Sequence, residues 1–166
     1  MEYIDLVDDN DNIIGTSTRE FVDSNNLKNY RVVNILVINS KNEIVLAQRS
    51  KNKKYFGGCY FFSVGGHVKA NESYEEAAYR ELKEELGIIN EKLQAIAHFS
   101  PNETGTSSFS MLYFLKYNGA FIIDKNEIEQ MKAFKKSELE ELLSSNPEKF
   151  SSDFLKIYEK TALKLT

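Results

Sequence analysis

The sequence has little cysteine and no long apolar stretch. Cys59 is its single cysteine, so no disulfide can form within the chain, and this usage is typical of the reducing cytoplasm. The N-terminal residues MEYIDLVDDNDN are acidic and lack the pattern of a signal peptide. Every apolar run is far shorter than the about 20 residues of a membrane span. We therefore expect a cytoplasmic protein with no membrane partner.

Basic residues are not in excess either. The chain carries 21 lysines and arginines against 25 acidic residues, a formal net charge of −4, so no duplex nucleic acid is expected as a partner. Its 166 residues and 42% hydrophobic share predict one globular domain with a substantial core. We expect this domain to span 1–166, with an N-terminal hairpin extension at 1–29 and C-terminal helices at 137–166. The composition leaves the oligomeric state open, with a homodimer as one option.

Capping signals and hydrophobic periodicity predict a helix between Ser73 and Gly87. The stretch Ser73-Tyr74-Glu75-Glu76 is a capping box that can begin it. Gly87 allows the chain to leave the helix through a positive φ. The predicted buried side of the helix recurs every four residues, at Tyr74, Ala78, Leu82 and Leu86.

Three carboxylates share a neighbourhood near the end of this helix. Glu81 and Glu85 are four residues apart, and like charges at that spacing cost about 0.2–0.5 kcal/mol. Glu84 and Glu85 also lie where the helix dipole disfavours anions by roughly 0.3–1 kcal/mol each. A solvated acidic face is the ordinary interpretation of such a helix, but it usually sets lysine against glutamate at that spacing. The pattern indicates a compensating hard divalent cation, bound through oxygen ligands.

The spacing of the whole stretch Gly66–Ile88 is more specific than its charge. It reads Gly66, Glu72, Arg80-Glu81-Leu82, Glu84-Glu85 and Gly87-Ile88, which is the full Nudix box, G-x5-E-x7-R-E-U-x-E-E-x-G-U with U aliphatic. With seven fixed positions, a chance match is about one in 10⁸ per starting position. The chain therefore resembles the Nudix family. That resemblance implies an α/β fold, an α/β/α sandwich around a mixed β-sheet, and hydrolysis of a small-molecule diphosphate such as a nucleoside diphosphate linked to another group.

The resemblance also assigns roles within the box. Glu84 and Glu85 match the direct ligands of Mg²⁺ or Mn²⁺, and Glu81 matches a residue that binds metal or acts as the general base. Arg80 matches the residue that orients these glutamates, and the backbone carbonyl of Gly65 matches a further metal ligand.

Two other positions of the box region have structural roles in the family. Glu72 matches a glutamate that is more structural than catalytic. Asn71 stands where glycine is common, and we expect the turn to survive because asparagine tolerates the left-handed conformation.

A second resemblance is to the isopentenyl-diphosphate isomerase branch of the same superfamily. It rests on the N-terminal hairpin, on the segment LAQRSKNKKYFGGCYFFSVGGH, and on His67 after two glycines. It implies that Arg49 and Lys53 bind a diphosphate and that His67 contacts substrate. The alternative for the two cations is a basic surface turn, and the alternative for His67 is neutral structure beside a glycine turn.

The residues of isomerase chemistry are missing from this sequence. Gly65 stands where that reaction needs a cysteine, and the segment Ser107-Ser108-Phe109-Ser110 lacks the required glutamate. Only His67 and His98 are present to replace several histidine ligands, and His98 is expected to be structural. We therefore predict a hydrolase. The alternatives are an isomerase-like enzyme and a Nudix module that binds a nucleotide without cleaving it.

Many enzymes of the family take a further carboxylate from a loop outside the box. The candidates here are Glu103, Glu127 and Glu129, and Glu127 is favoured because the pattern ahead of the predicted strand Met131–Phe134 resembles the late acidic loop of the family. The alternative for each is a solvated loop acid.

The remaining elements follow from alternation and turn signals. Ser137 with Glu140 predicts one C-terminal helix, and Asn146-Pro147 predicts the start of the last one. The predicted strands are Tyr3–Val7, Ile13–Thr18, Val32–Ile38, Ile44–Gln48, Tyr60–Val64, Leu93–Phe99, Phe109–Tyr117 and Met131–Phe134.

Overall fold

The computed structural model describes residues 1–161, so the last five residues of the predicted C-terminal helices lie outside the described part. Nine strands form one mixed sheet. The strands are β1 Tyr3–Val7, β2 Ile13–Thr18, β3 Tyr30–Ile38, β4 Ile44–Arg49, β5 Tyr60–Phe61, β6 Val64–His67, β7 Gln94–Phe99, β8 Ser108–Lys116 and β9 Ile128–Phe134. The helices are α1 Arg19–Ser24, α2 Tyr74–Leu86, α3 Pro101–Thr104, α4 Lys136–Ser145 and α5 Ser152–Thr161, with a 3₁₀ turn at Pro147–Lys149.

The strand β3 is the centre of the sheet. It pairs antiparallel with β1, β4 and β6 and parallel with β8. Its sequence YRVVNILVI is almost wholly apolar, as expected of a strand covered on both faces. Helices flank this mixed sheet, so the predicted α/β fold class is confirmed. Within residues 1–161, no helix combines the length and apolar character that crossing a membrane requires.

The predicted N-terminal hairpin is present, and the predicted strands Val32–Ile38 and Ile44–Gln48 pair with each other as a second one. The first, β1 with β2, has the predicted bounds, and the Asp8 side chain closes its turn by accepting from the N–H groups of Asn10 and Asn12. The helix α1 that follows was not predicted. It is short, and Thr18 caps it by accepting from the N–H of Phe21 at 3.2 Å.

The predicted strand Tyr60–Val64 is divided in two. The first part, β5, pairs with β4, and the second part, β6, pairs with β3. Ser63 lies at the division, where its Oγ accepts from the N–H of Val37 at 2.7 Å and donates to the carbonyl of Val45. The Ser63 side chain thus takes the place of a backbone hydrogen-bond partner at the point where the chain passes from β4 to β3. The second part carries Gly65 and Gly66 to the centre of the sheet.

The two C-terminal helix starts were predicted wrongly. The helix α4 begins before Ser137, because Glu138 accepts from the N–H of Lys135 at 3.1 Å. Asn146-Pro147 starts the 3₁₀ turn rather than α5. The last helix begins only at Ser152, since the N–H of Ser151 first donates to the carbonyl of Tyr60 at 2.9 Å.

The helix α2 packs against β3 and β6 and has the predicted caps. Ser73 Oγ accepts from the N–H of Glu76, and the Glu76 carboxylate accepts from the N–H of Ser73 at 2.8 Å. Gly87 ends the helix with φ of 67°. Three of the four residues predicted on its buried side are fully buried, whereas Tyr74 is half-buried and donates to Asp11 at 2.9 Å.

The capping box gives a direct test of how α2 is held. Ser73→Ala removes one acceptor of the box, and we expect a loss of about 1 kcal/mol in the free energy of unfolding. In a domain of this size that corresponds to a melting temperature lower by about 2–4 °C. Ser144→Ala, within the exposed part of α4, is the matched control and is expected to be nearly neutral. Equal effects of the two variants would contradict the capping role.

Candidate active site

A cleft of about 760 Å³ opens over the middle of the sheet, beside α2. Its floor is one face of β3, β6 and β8, and the end of α2 forms one wall. The N-terminal hairpin and α5 contribute the far end. The polar residues that line the α2 end of the cleft are Arg49, Lys53, Arg80, Glu81, Glu84, Glu85, Asp124 and Glu127.

The glycine pair of β6 lets α2 approach the sheet closely. A Cβ on Gly66 would lie 2.1 Å from Glu81 Oε1, and a Cβ on Gly65 would lie 2.9 Å from Asn34 Oδ1. Both distances are well inside van der Waals contact. Glycine is therefore required at Gly66 so that the Glu81 carboxylate can lie directly against the strand.

Arg80 joins three carboxylates of the box into one network. Its Nε and Nη2 make a paired contact with Glu72 at 2.7 and 2.8 Å, and Nη1 donates to Glu81 at 2.6 Å and to Glu84 at 3.3 Å. Nη2 also donates to the carbonyl of His67 at 2.9 Å. These contacts, led by the hydrogen bonds to Glu72, raise the pKa of Arg80. The guanidinium thus fixes both the helix and the strand that precedes it.

The same network separates the pKa values of two box glutamates. Burial acts to raise the pKa of Glu72, but hydrogen bonds from Arg80 and from the N–H of Lys69 outweigh it and lower that pKa. For Glu81 the order is reversed. Burial raises its pKa, and the opposing hydrogen bond from Arg80 does not cancel the rise. Glu81 is therefore the better proton acceptor of the two.

Glu85 is the most unusual group in the cleft. Its residue is only 7% exposed, and its Oε2 is buried without a hydrogen-bond partner among residues 1–161. Burial raises its pKa well above the usual range, and the nearby charges of Glu81 and Glu127 add to the rise. An unpaired buried carboxylate is costly unless a cation compensates it. The unpartnered Oε2 of Glu85 is therefore the atom whose surroundings fit a bound metal ion.

The oxygen atoms at this end of the cleft are of the kind that a hard divalent cation binds, although the carboxylates do not converge on one point. Glu81, Glu84 and Glu85 supply the oxygen ligands that such ions prefer, and Gly65 lines the same cleft. In the described part of the chain, no three acidic or histidine side chains stand in a ready coordination geometry. Arg80 explains this, because it holds Glu81 and Glu84 by hydrogen bonds.

Arg49 and Lys53, the predicted diphosphate contacts, lie in the same cleft. The guanidinium of Arg49 lies 5.1 Å from the centre of the Phe61 ring, and burial lowers its pKa. Lys53 Nζ is 2.6 Å from the carboxylate of Glu127. The predicted phosphate ligand and the predicted additional acid therefore contact each other, which the sequence did not indicate. The other two candidate acids, Glu103 and Glu129, do not line the cleft.

His67 lies in the floor of the cleft, stacked on Tyr30 with ring centres 5.3 Å apart. Burial lowers the pKa of His67 to about 4, so the imidazole is neutral at physiological pH. His98, expected to be structural, contacts Tyr74 and Asp11 at 3.2 Å outside this cleft.

Asp124 and Asn34 are polar cleft residues that the sequence did not identify as part of a site. Asp124 follows β8 by eight residues, and its N–H donates to the carbonyl of Glu85 at 3.1 Å, which ties that segment to the end of α2. Asn34 lies in the floor next to Gly65. A polar residue in the middle of the apolar run of β3 was the available signal for Asn34. Local sequence carries no comparable signal for Asp124.

Comparison with known proteins agrees with this geometry. The model of the NUDIX domain matches residues 28–154. An uncharacterized Nudix hydrolase from Nostoc is 33% identical over 163 residues, covering 96% of this chain and 95% of that protein. The crystal structure of a Deinococcus radiodurans protein is 30% identical with a TM-score of 0.87, covering 96% of this chain and 98% of the other.

Isomerases are also among the similar proteins. An isopentenyl-diphosphate Δ-isomerase from Serratia proteamaculans is 29% identical over 164 residues, covering 94% of this chain and 89% of the isomerase. This similarity agrees with the expected likeness of the frame to the isomerase branch.

The buried Glu85 carboxylate predicts a pH dependence of stability in metal-free protein. Its pKa is raised above the reference value of 4.5, so the folded state binds more protons than the unfolded state above that pH. Stability contributed by the protonated group is therefore lost as pH rises above about 4.5. In urea unfolding with EDTA, the difference in unfolding free energy between Glu85→Gln and the wild type should grow with pH. A parallel trend for Glu75→Gln, exposed on the same helix, would refute the assignment to the buried site.

Proposed function

The chain belongs to the Nudix family and is a Nudix hydrolase, and from this premise we propose that it is a Mg²⁺-dependent enzyme that cleaves the diphosphate linkage of a nucleoside diphosphate derivative. Mn²⁺ is the alternative metal. The observation that carries the proposal is the buried, unpartnered oxygen of Glu85 beside Glu81, at the end of a cleft that also presents Arg49 and Lys53. We further propose one domain over 1–166 and retain the cytoplasmic location as a prediction.

The catalytic end of the cleft supplies charge of both signs. When bound, a divalent cation neutralises phosphate oxygens and lowers the pKa of a coordinated water molecule. The residues proposed to hold it are Glu81, Glu84 and Glu85, together with the carbonyl of Gly65. Arg80 orients two of these carboxylates through its contacts at 2.6 and 3.3 Å.

The protein groups proposed to act on the substrate lie on two sides of this end. Arg49 and Lys53 bind the diphosphate, which requires Lys53 to exchange its contact with Glu127 for phosphate oxygens. Glu81 accepts the proton of the attacking water, because its carboxylate lies at the catalytic end of the cleft beside Glu85. Glu127 remains the alternative base, once it is released by Lys53. Water attacks one phosphorus atom, and the other phosphate leaves with its half of the molecule.

The isomerase alternative is favoured by sequence similarity but not by the cleft. Isomerisation of isopentenyl diphosphate needs a proton donor and an acceptor on opposite sides of the double bond. The positions proposed for them hold Gly65 and the Ser107–Ser110 segment, and neither can exchange a proton near neutral pH. A binding module without activity is the other alternative, and such a module is expected to lose box carboxylates, whereas all of them are present here.

A substrate screen tests the proposal. Nucleoside diphosphate derivatives are incubated with Mg²⁺ and the wild-type protein, and phosphate and nucleotide products are measured. We expect hydrolysis of at least one of them, a loss of about 10²-fold or more in Glu85→Gln, and unchanged isopentenyl diphosphate. Glu75→Gln is the matched control and should retain activity. Near-normal turnover by Glu85→Gln would contradict the central role of the box. If the wild type isomerised isopentenyl diphosphate and Glu85→Gln did not, the box would carry isomerase chemistry instead of hydrolysis.

Metal binding should also stabilise the folded protein. A ligand that binds only the native state adds about 2.7 kcal/mol at a hundredfold excess over its dissociation constant. We therefore expect millimolar Mg²⁺ or Mn²⁺ to raise the melting temperature, EDTA to reverse the effect, and Glu85→Gln to reduce it more than Glu75→Gln does. A melting temperature that does not respond to either metal would contradict the proposed site.

A further inference from the structure

Asn34 is a buried carboxamide in the middle of an apolar strand. The residue is 8% exposed, and its neighbours in β3, Val33 and Ile35, are fully buried. Asparagine is depleted in strands, and a buried polar group must find hydrogen-bond partners. Its Nδ2 donates to Ser110 Oγ on the adjacent parallel strand β8 at 2.7 Å. This bond fixes the plane of the carboxamide but uses only part of its hydrogen-bonding capacity.

The rest of the carboxamide faces the cleft. Asn34 is paired directly with Gly65 on β6, so both lie on the same face of the sheet. Because Gly65 has no side chain, nothing from that residue covers Asn34 Oδ1, which a Cβ there would approach to 2.9 Å. Oδ1 has no hydrogen-bond partner within residues 1–161, and Asn34 lines the cleft. One acceptor and one remaining N–H are thus presented to a ligand by a group that is already oriented.

The position of Asn34 relates it to the proposed catalytic end. Gly65, its pairing partner, lines the same cleft as Glu85, and the backbone of Gly65 acts to lower the pKa of that carboxyl group. Away from that end, the same face of β3 continues with Val32 and Tyr30, about 7 and 13 Å farther along the strand. His67 lies opposite Val32 and stacks on Tyr30.

The row formed by Asn34, Val32, Tyr30 and His67 on the floor of the cleft carries no formal charge. It is polar next to the carboxylates and aromatic at its far end. A nucleoside has the same order of groups, since a hydroxyl-bearing sugar joins the diphosphate and a flat ring lies beyond the sugar.

We infer that Asn34, held in position by Ser110, hydrogen-bonds to a hydroxyl group of the sugar attached to the diphosphate and thereby directs the nucleoside along the sheet. This inference rests on the proposed function and adds to it a recognition residue outside the box. Ser110 is a positioning residue, because it is fully buried and reaches the ligand only through Asn34.

The competing explanation is that the Asn34–Ser110 hydrogen bond only stabilises the sheet. Replacing both partners of a buried hydrogen bond by apolar groups of similar shape can be nearly neutral for stability. The double variant Asn34→Val/Ser110→Ala is therefore expected to fold with a melting temperature close to that of the wild type. If the pair serves recognition, the same variant loses affinity for the ligand.

Equilibrium binding with Ca²⁺ in place of Mg²⁺ tests this without requiring turnover. The probes are ADP and UDP, together with 2′-deoxy-ADP and 3′-deoxy-ADP. We expect the double variant to bind ADP and UDP at least tenfold more weakly. The wild type should prefer ADP over at least one deoxy analogue by fivefold or more, and this preference should fall below twofold in the double variant.

Two further variants complete the design. Ser110→Ala alone keeps Asn34 but loosens it, so it should reduce the preference for ADP over the deoxy analogue and remain informative if the double variant does not fold. Gln130→Val removes a similar cross-strand contact, the 2.7 Å bond from Gln130 to Gln48 outside the cleft, and should leave binding unchanged.

The outcomes separate this inference from the function on which it rests. Unchanged affinity for ADP in the double variant would overturn the role of Asn34. The same conclusion would follow if the double variant kept the full preference of the wild type for ADP over the deoxy analogue. Either result would leave the proposed hydrolase intact. If the wild type binds none of the four nucleotides, the nucleoside part of the proposed function is wrong, and the role of Asn34 is overturned with it.

Discussion

The close contact between α2 and the glycine pair of β6 determines the position of the box carboxylates at the catalytic end of the cleft. A Cβ on Gly66 would overlap Glu81, so the helix can lie at this depth only over glycine. At this depth Glu85 is buried against the strand, and Arg80 reaches both the carbonyl of His67 and the carboxylate of Glu72. Helix and strand are therefore locked together by a charged network rather than by apolar packing alone.

This network leaves the charges of the site only partly compensated. One guanidinium serves Glu72, Glu81 and Glu84, while Glu85 has a buried oxygen with no partner among residues 1–161. Local rules for stability would not select such an arrangement, since like charges repel and burial disfavours anions. Natural proteins depart from those rules mainly at functional sites. The same reasoning applies on a smaller scale to Asn34, which is a polar residue where the strand would otherwise be apolar.

Two elements specified by local signals were predicted well. The N-terminal hairpin has its predicted bounds, and the caps of α2 are the predicted Ser73 and Gly87. These depend on contacts between residues only a few positions apart. The missed helix α1 and the misplaced start of α4 depend on local caps, whereas two other errors lie where a distant contact decides. Ser63 divides a predicted strand because it bonds to Val37 and Val45 of the neighbouring strands, and the last helix is delayed until Ser152 because Ser151 first pairs with Tyr60.

The sequence alone therefore determined the family, the helix that carries the carboxylates and the residues of the box, because a fixed spacing on one helix already places side chains on a common face. The tertiary structure decided which groups outside the helix join them. Lys53 and Glu127 are 74 residues apart and form an ion pair, and Asn34 reaches Ser110 across 76 residues. Such contacts follow from the pairing and register of distant strands, and the local periodicity of a sequence does not specify that register.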